Sequence, residues 1–125
     1  MNVNDLTYKI RGAAFAVHRE LGPGLLESAY AAGLRYELEA RGLEVAQQVH
    51  LPVYYKDMEL QVHYRMDEVV NRAVIVEVKL VRALEPIHSA QLMSYLRLAN
   101  LPIGLLMNFN VMNMQLGIKR LVHNL

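Results

Sequence analysis

The sequence contains no cysteine, which excludes disulfides, thiolate zinc sites and cysteine nucleophiles. It has no uncharged apolar run of ~18 residues, so no membrane-spanning helix is expected. Its first residues, MNVNDLTYKIRG, lack the apolar stretch of a secretory signal. Together these absences lead us to expect a cytoplasmic protein in a reducing environment. Charge of one sign is also missing: thirteen Lys and Arg stand against twelve Asp and Glu, for a net charge of +1. Proteins that hold DNA by its phosphates usually carry a clear basic excess. The balanced total neither supports a nucleic-acid partner nor argues against one, because charges can sort onto separate faces. There is no internal repeat, low-complexity tract or linker.

The 125 residues suffice for one domain. Hydrophobic residues make up 54% of them, enough to bury a sizeable core. Residues 5–20 read as a helix that Asp5 can cap, with Leu6, Ile10, Ala13, Ala14, Val17 and Leu21 at helical spacing. Gly22-Pro23-Gly24 breaks it. A second helix is expected from about Leu25 to Arg41, carrying Leu26, Tyr30, Leu34 and Leu38 on one stripe and closed by Gly42. The pattern then changes to period two. Strands are expected over 45–55, with Pro52 marking an edge or bulge, over 58–70 after a Lys56-Asp57 turn, and over 73–81. Pro86 suits the first turn of a helix reaching about Ala99. Residues 103–107 read as a buried strand and 117–122 as a short final one. The expected class is α/β, an α+β domain with a mixed sheet in the order α-α-β-β-β-α-β-(β).

In VIVEVKL, residues 74–80, Glu77 and Lys79 lie two apart and share one strand face, while Val74, Val76, Val78 and Leu80 share the other. Charges in the middle of a sheet are costly unless paired or used. The plainer reading is a Glu/Lys pair on a solvated face. The preceding strand adds Asp67. A two-residue turn at Asn71-Arg72 would set Asp67 against Val76, pointing away from Glu77. A three-residue turn at Asn71-Arg72-Ala73 would set it opposite Glu77 on the same face. That second register makes a carboxylate pair beside a lysine, the oxygen donors a hard divalent cation takes, with the lysine placed to polarise a phosphate or assist an attacking water.

Asp67, Glu77 and Lys79 in this spacing resemble the core signature of the PD-(D/E)XK nuclease superfamily. Gly24-Leu25-Leu26-Glu27-Ser28-Ala29-Tyr30, preceded by Val17-His18-Arg19-Glu20-Leu21-Gly22-Pro23, resembles the signature of the GxxExxY proteins placed in it. Gln91 and Tyr95, four residues apart, resemble the Gln-x₃-Tyr motif of RecB-like and lambda-exonuclease-like nucleases. Tyr64-Arg65-Met66-Asp67, Asn108-Phe109-Asn110 and Gly117-Ile118-Lys119-Arg120 also read like this family.

The resemblance implies a restriction-endonuclease-like core. It implies Lys79, Asp67 and Glu77 as catalytic residues and Glu27, Asp67 and Glu77 as metal ligands. For Glu27 the plainer reading is a first-turn glutamate favoured by the helix dipole. Tyr30 is expected to be a packing residue with its hydroxyl tied into the site. Gln91 could orient Lys79 or contact a nucleic-acid strand, or with Tyr95 simply cover the sheet. His18 could bind a phosphate or brace Glu27, or be an ordinary helix-end histidine. His88 could touch substrate. The implied cofactor is Mg²⁺, with Mn²⁺ able to replace it, and the implied partner is nucleic acid, DNA ahead of RNA. A small domain without a gripping module also leads us to expect a homodimer or a protein partner. Two functions stand at this point: metal-dependent phosphodiester hydrolysis, and a catalytically silent binding module on a nuclease fold, since fold does not dictate function.

Overall fold

A computed structural model describes residues 1–125. Helix α1 runs Val3–Leu21, α2 Glu27–Ala40 and α3 Pro86–Ala99. The strands are β1 Val45–Leu51, β2 Tyr54–Tyr55, β3 Met58–Glu59, β4 Tyr64–Val70, β5 Val74–Lys79, β6 Ile103–Asn108 and β7 Ile118–Val122, the last entered through a 3₁₀ turn at Met114–Gly117. No helix is long and apolar enough to cross a membrane.

The apolar stripe of α1 is where its spacing puts it: Leu6, Ile10, Ala13, Ala14 and Val17 are all buried. The helix starts earlier than expected. Asn2, not Asp5, is the N-cap, and its side chain accepts from the Asp5 N–H at 2.8 Å. On α2, Tyr30, Leu34 and Leu38 are buried, but the helix begins only at Glu27, so Leu25 and Leu26 fall outside it and are exposed. The Gly22-Pro23-Gly24 break therefore extends two residues further than the apolar stripe suggests. At the other end Gly42 adopts φ +78°. Its N–H bonds to the Glu39 carbonyl at 2.9 Å, and the Leu43 N–H to that of Leu38 at 3.1 Å. This is a Schellman ending, locked by the buried pair Leu38 and Leu43.

The five main strands lie in the order β1-β4-β5-β6-β7. Only β5 and β6 are parallel, joined by the α3 crossover; the other neighbours are antiparallel. Helices α1 and α2 cover one face, packing on Val70, Val74, Val76, Val78, Ile103, Leu105 and Met107. Helix α3 covers the other, its Leu92 and Leu96 packing with Ile75 and Leu106. Each such side chain contributes roughly 1.5–3 kcal/mol of burial.

Two expected strands are cut short. Strand β1 stops at Leu51, where Pro52 cannot donate to the ladder. Tyr54-Tyr55 instead pairs with Met58-Glu59 around the Lys56-Asp57 turn as a separate ribbon, so the strand expected over 58–70 begins in the main sheet only at Tyr64. A second departure lies inside the β1–β4 ladder. Gln47 pairs with Glu68 and Val49 with Met66, but Gln48 and Asp67 between them are skipped. Gln48 sits in the left-handed region at φ 51°. Val45 and Val70 belong to the α1/α2 core, whereas Leu51 and Met66 belong to the α3 core. The two strands thus exchange faces at the pair that contains Asp67.

Candidate active site at the splayed end of the β4–β5 hairpin

The hairpin takes the three-residue connection. Val70 pairs with Val74, Val69 with Ile75 and Glu68 with Val76, and the same register places Asp67 opposite Glu77. Asn71 and Arg72 both adopt positive φ, 51° and 56°. Asn71 is held in place from outside the hairpin: its N–H donates to the Glu44 carbonyl and its Oδ1 accepts from the Glu44 N–H, each at 2.8 Å. The backbone ladder ends at Glu68 and Val76, and side chains take over beyond it. Asp67 Oδ2 accepts from the Val78 N–H at 2.8 Å. Glu77 Oε1 lies 3.4 Å from the Asp67 N–H, which donates to it. Each carboxyl therefore binds the backbone of the opposite strand.

Glu77 does not lie on a solvated face. It is only 4% exposed. Its pKa is pushed up to about 9, first by burial, then by its hydrogen bond with Asp67 and the charge of Asp67, with Lys79 acting in the opposite direction. Two carboxyls this close, one of them buried, do not both ionise without a nearby cation. Lys79 is half-buried and donates from Nζ to Gln91 Oε1 at 3.1 Å. The chain's three ion pairs, Arg35–Glu39, Arg41–Glu37 and Arg72–Glu44, all lie elsewhere. Glu27 is the first residue of α2. Its pKa is raised, chiefly by desolvation and then by the charge of Asp67, and is pulled back by Lys79. No three histidine, aspartate or glutamate side chains form a ready metal cage. The donors at the splayed end are the carboxyl oxygens of Asp67 and Glu77, each anchored on the opposite strand's backbone, and oxygen donors of this kind fit a hard divalent cation.

Of the other residues singled out from sequence, Gln91 and Tyr95 reach the site from α3. Tyr95 is buried, its ring 6.2 Å from that of Tyr64 in an edge-to-face arrangement. Its pKa is raised, first by burial and then by the charge of Glu77. His88 lines the same cleft as Lys79 and Gln91. Its Nδ1 also accepts from the Glu85 N–H at 2.9 Å, closing a capping box at the start of α3.

Two of the contacts considered from sequence are absent. His18 does not brace Glu27: its Nε2 is 2.7 Å from the Val111 carbonyl, and its ring stacks on Phe109. Tyr30 packs as expected, 4.7 Å from the Phe109 ring, but its hydroxyl is not tied into the site. It donates to the Gly22 carbonyl at 2.5 Å and accepts from the Leu25 N–H at 3.2 Å, pinning the α1–α2 connection. The motif spacing puts both residues near Glu27 in sequence, while α1 turns His18 and α2 turns Tyr30 toward Phe109.

Three residues to which sequence reasoning gave no role hold the site in shape. Asn108, at the end of β6, donates to the Val81 carbonyl at 2.9 Å and accepts from the N–H groups of Val81 and Asn110, fixing the chain just beyond Lys79. Gln47 Nε2 donates to Glu68 Oε2 at 2.8 Å and to the Ala31 carbonyl of α2 at 3.2 Å. Its Oε1 accepts from Arg35 at 3.1 Å. This ties β4 to the helix that carries Glu27. The signal for Glu68 was available: beside Asp67 on a strand, alternation turns it toward the helices.

A family model of the PD-(D/E)XK nuclease superfamily matches residues 4–121. No curated protein and no solved structure gives a significant match. The mixed sheet with helices on both faces agrees with a restriction-endonuclease-like fold, and the match spans nearly all of it. The chain belongs to the PD-(D/E)XK nuclease superfamily.

Proposed function

We propose that this protein is a metal-dependent nuclease of the GxxExxY group that hydrolyses phosphodiester bonds, with DNA as its first substrate. The observation that carries the reading is the pairing of Asp67 with Glu77 at the splayed strand ends, with Lys79 held beside them by Gln91. Asp67, Glu77 and Glu27 would hold Mg²⁺, or Mn²⁺ in its place. The ion, when bound, supplies a water of lowered pKa and charge to polarise the phosphoryl group. The rest falls to the chain. Glu77 would serve as a carboxylate ligand, its buried charge offset by that of the ion. Lys79 Nζ donates to the phosphate oxygens, where charge grows in the transition state. Gln91 restrains the long lysine side chain, so less rotamer freedom is lost during reaction.

The test is cleavage and affinity measured on the same labelled oligonucleotides, DNA and RNA, with Mg²⁺ and with Mn²⁺, in wild type and Lys79→Ala. A catalytic lysine acts on the transition state. Turnover is expected to fall by roughly 10²-fold or more, as for loss of one oxyanion donor, with affinity changing far less. If wild type cuts nothing with either ion while Lys79→Ala loses affinity and about one phosphate contact in salt slope, the protein is a binding module and the nuclease reading fails.

A further inference from the structure

A cleft of about 590 Å³ opens on the α3 side of Lys79, within the roughly 300–1,000 Å³ range of small-molecule sites. Lys79 and Gln91 stand at the reacting end. Tyr64 of β4 and Tyr95 of α3 contribute aromatic surface, and His88 and Ser94 are the other polar groups in the lining. Tyr64 is 45% exposed and the neighbouring Ile87 70%, so broad apolar surface faces solvent beside the candidate catalytic lysine. His88 uses Nδ1 in the α3 cap, and its Nε2 makes no protein hydrogen bond. Any group in this cleft lies next to whatever phosphate Lys79 contacts.

On the reading that the site cuts phosphodiesters, we infer that the cleft receives one unstacked base of a single-stranded nucleic acid, packed on Tyr64 next to the phosphate to be cut. A base inside a duplex is covered on both faces by its neighbours and does not reach such a cleft. A base in a single strand, or at a frayed end, offers a π-face to an aromatic side chain and a hydrogen-bonding edge to polar groups. Charge points the same way. Lys79 is the one cationic side chain in the lining, so the cleft itself offers contact to one phosphate and otherwise aromatic and polar surface, not a track for two backbones. Stacking is sequence-tolerant, because every base has a π-face, so the preference is for single strands rather than for a particular sequence.

The sequence has no tryptophan, so Tyr64→Trp supplies a single fluorescent reporter at an exposed position. Its emission is titrated in EDTA with a short oligothymidylate, with an abasic strand of equal length and with a duplex. The oligothymidylate is expected to quench the emission, and the abasic strand and the duplex to do so little. Tyr64→Ala is expected to weaken oligothymidylate binding by roughly five- to hundredfold, the affinity one stacked base supplies, and to leave abasic binding unchanged; Tyr64→Phe retains the affinity. Equal affinity for base-bearing and abasic strands, tighter binding of the duplex, or no effect of Tyr64→Ala overturns the inference. Because the titration contains no metal, absence of cleavage in the Lys79 experiment leaves it intact. Cleavage of duplex and single strand at equal rates overturns the cleft assignment and leaves the nuclease reading standing.

Discussion

Replacing Glu68 with glutamine is expected to change how stability depends on pH. Glu68 is fully buried. Gln47 donates to its Oε2 at 2.8 Å, and its Oε1 has no partner. Its pKa is pushed up to about 7 from 4.5, chiefly by burial; the Gln47 bond lowers it, the charge of Asp67 raises it and Arg35 lowers it. The folded chain thus holds this proton more tightly than the unfolded chain. The stability contributed by the protonated form is full below pH 4.5 and is lost as pH rises through about 7. A gap of about 2.5 pH units, at about 1.4 kcal/mol per unit, makes the ionised form cost roughly 3 kcal/mol by pH 8. Glutamine never ionises, but it sets an amide N–H₂ where Oε1 has no partner, a penalty of ~1–3 kcal/mol. The net gain for Glu68→Gln at pH 8 lies between zero and about 2 kcal/mol. For 125 residues that is at most roughly 8 °C in Tm. Near pH 4.5 the gain vanishes or turns into a loss. Thermal melts of both proteins from pH 4 to 9, at constant ionic strength and in EDTA, measure it, and the difference between the curves isolates Glu68 from Glu77. Parallel Tm profiles would refute the reasoning.

Mg²⁺ or Mn²⁺ is expected to raise the Tm of the wild type and to raise that of Asp67→Asn much less, because binding to the native state stabilises it; an equal rise in both places the cation elsewhere. Binding near pH 8 is expected to release close to one proton per ion, since Glu77 titrates at about 9 without it, and calorimetry in buffers of different ionisation enthalpy counts that proton. Gln91→Ala frees Lys79 Nζ from its 3.1 Å bond and is expected to lower kcat several-fold with KM little changed; a fall confined to affinity would make Gln91 a substrate contact. Tyr30→Phe removes the bonds to Gly22 and Leu25 and is expected to cost about 1–2 kcal/mol, read by urea unfolding, and an unchanged midpoint would show that water replaces the hydroxyl.

The helices and the core beneath α1 and α2 were legible because each follows one period: the α1 stripe, Tyr30-Leu34-Leu38 and the valines of β5 needed no tertiary information. The hairpin register was open because residue preference does not separate a turn of Asn71-Arg72 from one of Asn71-Arg72-Ala73. The matter is decided by Glu44, on the far side of β4, whose carbonyl accepts from the Asn71 N–H and whose N–H donates to Asn71 Oδ1. Arg72 at φ 56° and Gln48 at φ 51° are conformations that arginine and glutamine do not announce, so the exchange of faces at Asp67 left no trace in the period-two pattern. The parity of Glu77 and Lys79 was readable, but the burial of Glu77 was not, because it depends on α3 returning over that face. The roles expected for His18 and Tyr30 came from their nearness to Glu27 along the chain, whereas Phe109 and Val111 capture both of them.

The Val78 N–H donates to the Asp67 carboxylate where a ladder would offer a carbonyl. A carbonyl acceptor is neutral and fixed by its strand, whereas a carboxylate is charged, can rotate and can be drawn toward another positive group. The amide of Val78 is therefore a built-in spectroscopic reporter. Its proton shift and exchange rate follow the state of Asp67 from inside the sheet, without a label and without turnover.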